Sequence, residues 1–229
     1  MKTVALVVAA GKGLRLGGQV PKQFRNVLDK PILAWTVGKF QRAEKIDEIA
    51  LVVAEEFLLY ANENIVNRHH LNKVSRIITG GDTRQESVRK GLLALPVSTG
   101  FVAIHDGARP LVHPDDIDRV TEKAHRERAA ILARPIAETI KRVDNEFVLT
   151  TLDRSRLFLA ETPQVFQYDL IMTAHQKAED GEAVTDDSCL VEKLGFKVRT
   201  VIPRAVNHKI TTEDDLELVR ILLEAEYGA

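Results

Sequence analysis

Residues 3–24 read T-V-A-L-V-V-A-A-G-K-G-L-R-L-G-G-Q-V-P-K-Q-F, and this stretch decides the fold. The apolar run over residues 4–10 is short and valine-rich, the pattern of a strand buried on both faces of a parallel sheet. Helix is the competing reading, but Gly11 and Gly13 end the run too early for one. A loop leaving the carboxyl end of such a strand is where open α/β sheets bind ligands. Gly11 and Gly13 let backbone N–H groups approach an anion, and Lys12, Arg15 and Lys22 add positive charge. That is the chemistry of a polyphosphate cradle.

Elimination narrows the kind of cradle. No G-x-x-x-x-G-K-[ST] string is present, which excludes a P-loop. The dinucleotide fingerprint needs a glycine at its sixth position, and that position is Leu16. A-A-G-K-G-L-R-L followed by P-K-Q-F remains. It resembles the signature of nucleotidyltransferases that activate sugar or polyol phosphates, with Ala9, Ala10, Gly11 and Gly13 at the nucleotide. An ordinary glycine-rich βα turn with solvated lysines is the plainer alternative. Lys22 follows Pro21 beside Gly17 and Gly18, so its side chain is expected to be exposed.

Working outward, 229 residues are most simply one domain, long enough for a substantial core. Hydrophobic content of 45% and charged content of 28% are ordinary for a globular protein. A net charge of −1 gives no bulk attraction to nucleic acid or to a membrane, so any anion site must come from local clustering. The chain enters its first strand without a signal peptide, and no apolar run approaches a membrane span. A cytoplasmic protein is expected. The single cysteine, Cys189, excludes an internal disulfide and reads as a small core residue.

The same alternation continues along the chain. Helices are expected over residues 31–43, 55–70, 84–95 and 114–128, and strands over 48–54, 74–79, 101–104 and 129–133. Short-interval alternation implies right-handed βαβ crossovers and a mainly parallel sheet flanked by helices. Three of the first four strands end in polar, glycine-containing loops, which such a sheet gathers at one edge. Residues 136–152 change pattern. They alternate apolar and polar about Asp144-Asn145, which predicts a hairpin and a projecting β-arm at about 136–154. Residues 158–166 are expected to return to the core. Helix follows over 168–179, then a helix carrying Cys189 that Thr185 could cap, then a strand over 196–202. Thr212 and Asp215 make a capping-box-like start to a last helix whose Leu216, Val219 and Leu223 face inward.

Two loops carry candidate chemistry. In H-D-G-A-R-P, Asp106 could hold a ribose hydroxyl or help position a metal–phosphate complex, and Arg109 could pair with Asp106 or meet phosphate. A local ion pair fixing the turn explains the same residues. In G-G-D-T-R, Gly81, Asp82 and Arg84, with Ser87 one turn on, suit a nucleobase edge, though an N-capped helix after a glycine turn would look alike. The seven histidines show no zinc spacing, and no G-x-S-x-G elbow marks an activated serine.

V-V-A-A-G-K-G-L-R-L, P-K-Q-F, G-G-D-T-R-Q-E-S-V, H-D-G-A-R-P, E-T-I-K-R, L-D-R-S-R-L-F-L-A-E-T-P-Q-V-F, V-T-D-D-S and N-H-K-I-T-T-E-D-D-L occur in this order over nearly the whole chain. The ordered set resembles the 2-C-methyl-D-erythritol 4-phosphate cytidylyltransferases. The resemblance implies a Rossmann-like, glycosyltransferase-A-like α/β fold and a homodimer joined through the arm. It also implies Mg²⁺-dependent transfer of CMP from CTP to methylerythritol phosphate in the non-mevalonate isoprenoid pathway. By that pattern Arg15 and Lys22 stabilise the transition state. Arg154 and Lys209 position the substrate phosphate, and Thr139 assists from the arm. Arg109 and Thr185 are further substrate-binding positions. Gly81, Asp82, Arg84 and Ser87 surround the cytosine, and Asp106 and Gly107 lie at the ribose. The sequence departs from the family at Leu16, where methionine is usual, and at Arg134 and Glu138, where a small residue and aspartate are more frequent. A ribitol 5-phosphate cytidylyltransferase shares the loops, and a non-catalytic nucleotide-binding regulator could share the fold. E-T-I-K-R and the full cationic set favour the methylerythritol enzyme.

Overall fold

The computed structural model describes residues 1–11, 21–178 and 184–227. In chain order the elements are β1 (Thr3–Ala9), β2 (Asn26–Val27), β3 (Lys30–Pro31), α1 (Ile32–Arg42), β4 (Glu48–Val53), α2 (Leu58–Tyr60), β5 (Val74–Thr79), α3 (Arg84–Leu93), β6 (Phe101–Asp106), α4 (Pro114–Glu127), β7 (Ala129–Pro135), β8 (Lys141–Asp144), β9 (Phe147–Thr151), β10 (Phe158–Gln167), α5 (Tyr168–Lys177), α6 (Asp187–Lys193), β11 (Arg199–Val201) and α7 (Glu213–Tyr227). Among the described residues the main sheet has seven strands in the order β11-β7-β10-β6-β1-β4-β5. All neighbours pair in parallel except β10, which runs antiparallel to both β6 and β7. The expected α/β architecture is therefore present, as a mixed, mostly parallel sheet. No described helix is long and apolar enough to cross a membrane.

The continuous apolar run of β1 has a simple cause. Its side chains alternate between two cores, because successive residues of a strand point to opposite faces. Ala5, Val7 and Ala9 enter the core beneath α1 and α4, while Val4 and Leu6 enter the core with Val88 and Leu92 of α3. Both faces are covered, so neither set can be polar. A smaller cluster joins Val27, Ile32 and Trp35 to Ile210, Val219 and Leu223, docking α7 against the start of α1. Thr212 and Asp215 cap α7 reciprocally: the Asp215 N–H donates to Thr212 Oγ1 at 3.2 Å, and the Thr212 N–H donates to Asp215 Oδ2 at 2.8 Å.

Four local expectations need correction. Residues 55–70 are not one helix. A 3-10 turn at Glu55–Phe57 leads through α2 into a π-helical stretch at Ala61–Asn67, which keeps Ala61 and Ile65 both fully buried. The hairpin turns one residue later than expected. Asn145 and Glu146 both take left-handed φ values, 46° and 68°, as a two-residue primed turn requires. The late strand is only Arg199–Val201. Asp186, not Thr185, caps α6, its carboxylate accepting from the Cys189 N–H at 3.1 Å. Cys189 itself is half-buried, with its thiol donating to the Asp186 carbonyl at 3.0 Å.

The return from the arm is also only partly core. Phe158, Leu159 and Ala160 are exposed, and burial begins at Glu161. A bulge interrupts the β10–β7 register between Ala160 and Gln164. Every residue of β8 and β9 is exposed, and the pair forms a separate antiparallel ribbon. Since β10 is antiparallel to β6 and β7, β7 runs with the parallel set and the ribbon leaves from the edge where those strands end.

Candidate active site

Register places the site. Val8 of β1 lies opposite Asp106 of β6, and Ala9 lies opposite Val53 of β4. The loops after β1, β5 and β6 therefore emerge side by side. They enclose a cleft of about 530 Å³, which Lys22, Gln23 and Lys209 complete. Three cations (Lys22, Arg84, Lys209) and two carboxylates (Asp82, Asp106) line it, an excess of positive charge suited to a polyanion.

Asp106 is the centre of this charge. It ends β6, where the strand carries it to the cleft floor, and its carboxylate is nearly buried. Arg84 Nε donates to Oδ1 at 2.9 Å, and Lys209 Nζ donates to Oδ2 at 2.7 Å. Arg109 Nε stands 3.7 Å from Oδ2. Burial pushes the carboxyl upward, but Arg84, Lys209 and Arg109 together outweigh it and hold Asp106 well below the usual carboxylate range. Burial lowers the Arg109 guanidinium, with Asp106 opposing, whereas Arg84 is raised despite burial by Asp187 and Asp106.

Close backbone approach shapes the walls. A methyl added at Gly107 would lie 2.9 Å from Ala9 Cβ and 3.2 Å from the Val8 carbonyl oxygen. The Gly107 N–H donates to that same oxygen at 2.8 Å, stitching the two loops together. A methyl at Gly80 would meet Ala10 Cβ at 2.3 Å, so Ala10 closes the wall from behind and does not itself line the cleft. The Gly81 N–H donates to Ser87 Oγ at 3.0 Å, and Ser87 Oγ donates to the Thr83 carbonyl at 2.9 Å. Thr83 caps α3 by accepting from the Glu86 N–H at 3.1 Å, which presents Arg84 at the first helical position.

Behind Asp106 runs a buried chain. Its N–H donates to Thr162 Oγ1 at 3.1 Å, Thr162 Oγ1 lies 3.0 Å from His105 Nδ1, and His105 Nε2 lies 3.2 Å from the Arg109 carbonyl. Burial pushes His105 down to about 3, so its ring is neutral. A neutral ring facing a carbonyl carries its proton on Nε2, leaving Nδ1 to accept from Thr162. Asn207 Nδ2 donates to the Thr162 carbonyl at 2.7 Å, and Arg109 Nη1 donates to the Asn207 carbonyl at 2.8 Å. The Ile210 N–H donates to the Ala108 carbonyl at 3.0 Å. These bonds bring Lys209 to Asp106.

The cleft thus assembles Ala9, Gly11, Lys22, Gly81, Asp82, Arg84, Ser87, Asp106, Gly107 and Lys209 of the expected set. Lys22 is half-buried, contrary to expectation, because its ammonium reaches across to donate to the Ile210 carbonyl at 2.7 Å. Arg109 sits beside the cleft. Thr139, Arg154 and Thr185 are exposed and do not line it, and Arg154 Nη1 donates to the Ala137 carbonyl within the arm. Gly13 and Arg15, with Lys12, Leu16, Gly17 and Gly18, lie outside the described residues. Arg134, one of the two departures, pairs with Glu161 across β7 and β10 at 2.9 Å.

The sequence by itself assigns no role to Gln23, Thr162 or Asn207. Gln23 Nε2 donates to the Ala9 and Gly11 carbonyls at 2.6 and 2.9 Å, tying the end of β1 to the P-K-Q-F turn. All three sit inside quoted motifs. The polar glutamine before buried Phe24 was the available signal.

Residues 3–225 match the model of the family described as IspD: 2-C-methyl-D-erythritol 4-phosphate cytidylyltransferase. The chain is 41% identical to the 2-C-methyl-D-erythritol 4-phosphate cytidylyltransferase of Pelotomaculum thermopropionicum, over 99% of this chain and 96% of that one. It is 45% identical to that of Dehalococcoides mccartyi strain CBDB1, over 97% and 96% of the two chains. The crystal structure of the 4-diphosphocytidyl-2C-methyl-D-erythritol synthase of Anaerococcus prevotii superposes with a TM-score of 0.83 at 29% identity, covering 97% of this chain and 98% of that one. The Francisella tularensis cytidylyltransferase gives 0.80 at 30% identity, covering 96% and 99%.

Proposed function

This chain belongs to the 2-C-methyl-D-erythritol 4-phosphate cytidylyltransferase family, and from that membership we propose how its cleft performs the reaction. The enzyme transfers CMP from CTP to 2-C-methyl-D-erythritol 4-phosphate, a step of the non-mevalonate isoprenoid pathway. The products are 4-diphosphocytidyl-2-C-methyl-D-erythritol and pyrophosphate. An oxygen of the substrate phosphate forms a bond to the α-phosphorus of CTP. The bond from that phosphorus to the bridging oxygen of the β-phosphate breaks, and pyrophosphate leaves with the electron pair.

Two polyanions must meet, so positioning and charge stabilisation carry the catalysis. The observation that supports this reading is the convergence of Lys22, Arg84 and Lys209 on a cleft whose floor is Asp106. Lys22 and Arg15 stabilise charge at the α-phosphorus. Lys209 exchanges the Asp106 carboxylate for substrate phosphate. The glycine-lined G-G-D-T-R loop reads the cytosine, and Asp106 and Gly107 hold the ribose. Arg109, Thr185, and Thr139 and Arg154 of a second subunit's arm engage the methylerythritol phosphate. The exposed faces of Val143, Phe147 and Val148 on the arm support a homodimer, because a lone two-stranded ribbon is marginal in water.

Mg²⁺ fits this donor set as an ion that arrives with the nucleotide. It favours oxygen ligands, commonly one carboxylate beside substrate phosphates, and the described residues hold no cluster of three metal-ligating side chains. The CTP phosphates would be its main ligands, with Asp106 helping to position the metal–phosphate complex, and the bound ion would offset charge on the triphosphate.

The test is pyrophosphate release over a matrix of nucleoside triphosphates and polyol phosphates, with and without Mg²⁺. Turnover should be confined to CTP with methylerythritol phosphate. A site that hydrogen-bonds a specific group discriminates strongly against an analogue lacking it. Equal turnover with UTP overturns the reading of the glycine loop, and equal turnover with ribitol 5-phosphate overturns that of the arm.

A further inference from the structure

Arg84 is held by two carboxylates from different elements, and only one of them faces the cleft. Its Nε meets Asp106 on the cleft floor at 2.9 Å. Its Nη1 meets Asp187 Oδ2 at 2.8 Å. Asp187 is the first residue of α6, its side chain is 1% exposed, and it is not among the residues lining the cleft. On its far side, Oδ1 lies 3.2 Å from Nε2 of the equally buried His175 of α5. The backbone under Asp187 is pinned as well. Gln164 Oε1 accepts from the Asp187 and Ser188 N–H groups at 3.1 and 3.0 Å, and Gln164 Nε2 donates to Asp186 at 2.7 Å.

Charge balance is part of the reason, since Asp106 is shared among Arg84, Lys209 and Arg109 and Asp187 adds a second carboxylate to that cluster. Yet burying a further carboxylate carries a desolvation cost, and compensation of charge does not by itself require one aimed at a single nitrogen of Arg84. Geometry offers a reason. An arginine side chain has many rotamers, but its planar guanidinium presents donors in a fixed fork, so holding two of its nitrogens fixes the whole plane. Five N–H donors leave some for a ligand after both carboxylates are served. We infer that Asp187, oriented by His175, is a positioning residue for the nucleotide: it fixes the Arg84 guanidinium in the cleft wall so that Arg84 meets CTP and steadies Asp106 together. This rests on the cytidylyltransferase reading, and it adds two buried residues that touch no substrate.

The experiment measures the CTP dissociation constant by calorimetry, and kcat and both KM values, for wild type, Asp187→Asn, Arg84→Ala and the double variant. An Arg84 guanidinium released from the Asp187 ion pair would lose its aim at the nucleotide, and losing one charge-assisted hydrogen bond from Arg84 to CTP corresponds to roughly a ten- to hundredfold weakening of CTP binding. KM for methylerythritol phosphate should stay within about twofold, since the effect runs through the nucleotide. Added to Arg84→Ala, Asp187→Asn should change CTP affinity no further, because the group it positions is gone. His175→Gln provides the same cycle if Asp187→Asn fails to fold, with a smaller loss in the same direction. Unchanged CTP affinity in a folded Asp187 or His175 variant overturns the inference. So does an equal loss with and without Arg84. A wild-type enzyme that binds CTP but releases no pyrophosphate with methylerythritol phosphate would strike the functional reading instead, leaving the cycle to decide the positioning role.

Discussion

The Lys209 ammonium rests 2.7 Å from the Asp106 carboxylate across a sequence separation of 103. On the cleft floor this pair holds a cation at the place where the proposed reaction brings a phosphate. Burial alone would favour a protonated carboxyl, yet the surrounding cations hold Asp106 ionised, so Lys209 always has a resting partner. In the proposed reaction a substrate phosphate would exchange one oxyanion for another at an ammonium already partly screened from water.

Lys22→Ala should cost chemistry far more than folding. The side chain is half-buried and donates to the Ile210 carbonyl, a bond whose loss destabilises by about 1 kcal/mol. Turnover at saturating CTP should fall about 10²–10³-fold, the usual cost of removing one preorganised stabilising group. Lys22→Arg should recover only part, since a planar fork cannot occupy the place of a compact ammonium. Steady-state assays beside thermal melts of the same samples check this. Near-normal turnover would remove Lys22 from the catalytic set.

Gly107→Ala should damage both fold and nucleotide binding. The added methyl meets Ala9 Cβ at 2.9 Å, Leu33 Cδ1 at 3.1 Å and the Val8 carbonyl at 3.2 Å, and two of these belong to β1, an interior strand of the sheet. Overpacking of this kind costs about 1–3 kcal/mol. Chemical denaturation and CTP titration should both register the change, and an unaltered CTP affinity would show that the β1 and β6 loops need not approach so closely.

Acid should weaken the fold partly through His105. Burial, only partly opposed by Asp106, lowers its pKa from 6.5 to about 3. The unfolded chain therefore takes up this proton first as pH falls. The stability due to neutral His105 is complete above pH 6.5 and is lost progressively toward pH 3, at about 1.4 kcal/mol per pH unit for one proton. His105→Gln should show a shallower decline of unfolding free energy over that window. Parallel slopes for the two proteins would mean that His105 is not the group being titrated.

Subunit mixing addresses the arm. Lys22→Ala and Arg154→Ala chains should each be inactive alone. If Arg154 serves the partner's cleft, each mixed dimer regains one intact site, and an equimolar mixture recovers roughly a quarter of wild-type activity. No recovery after confirmed subunit exchange would place Arg154 and Lys22 in the same chain's site.

Much of this molecule was legible in its sequence because the signals are local. Seven apolar residues ended by glycine specify β1, since a run this short fits a strand buried on both faces and is cut too early for a helix. The T-R-Q-E start of α3 and the T-E-D-D start of α7 are capping patterns written in four residues each. Glycine-rich strand ends marked the edge on which the cleft lies, because parallel crossovers leave no other arrangement. The local pairing of Arg109 with Asp106 was legible in H-D-G-A-R-P, but tertiary structure alone decided which distant charges meet. That Asp106 would hold Lys209, that Arg84 would lie between Asp106 and Asp187, and that Lys22 would reach the Ile210 carbonyl depends on strand order and loop docking over long sequence distances. The bulge in β10 that brings Thr162 beneath Asp106 is likewise absent from any local pattern. Periodicity and turn chemistry act within a few residues. A hydrogen bond of 2.7 Å forms only after the whole sheet has set the positions of both partners.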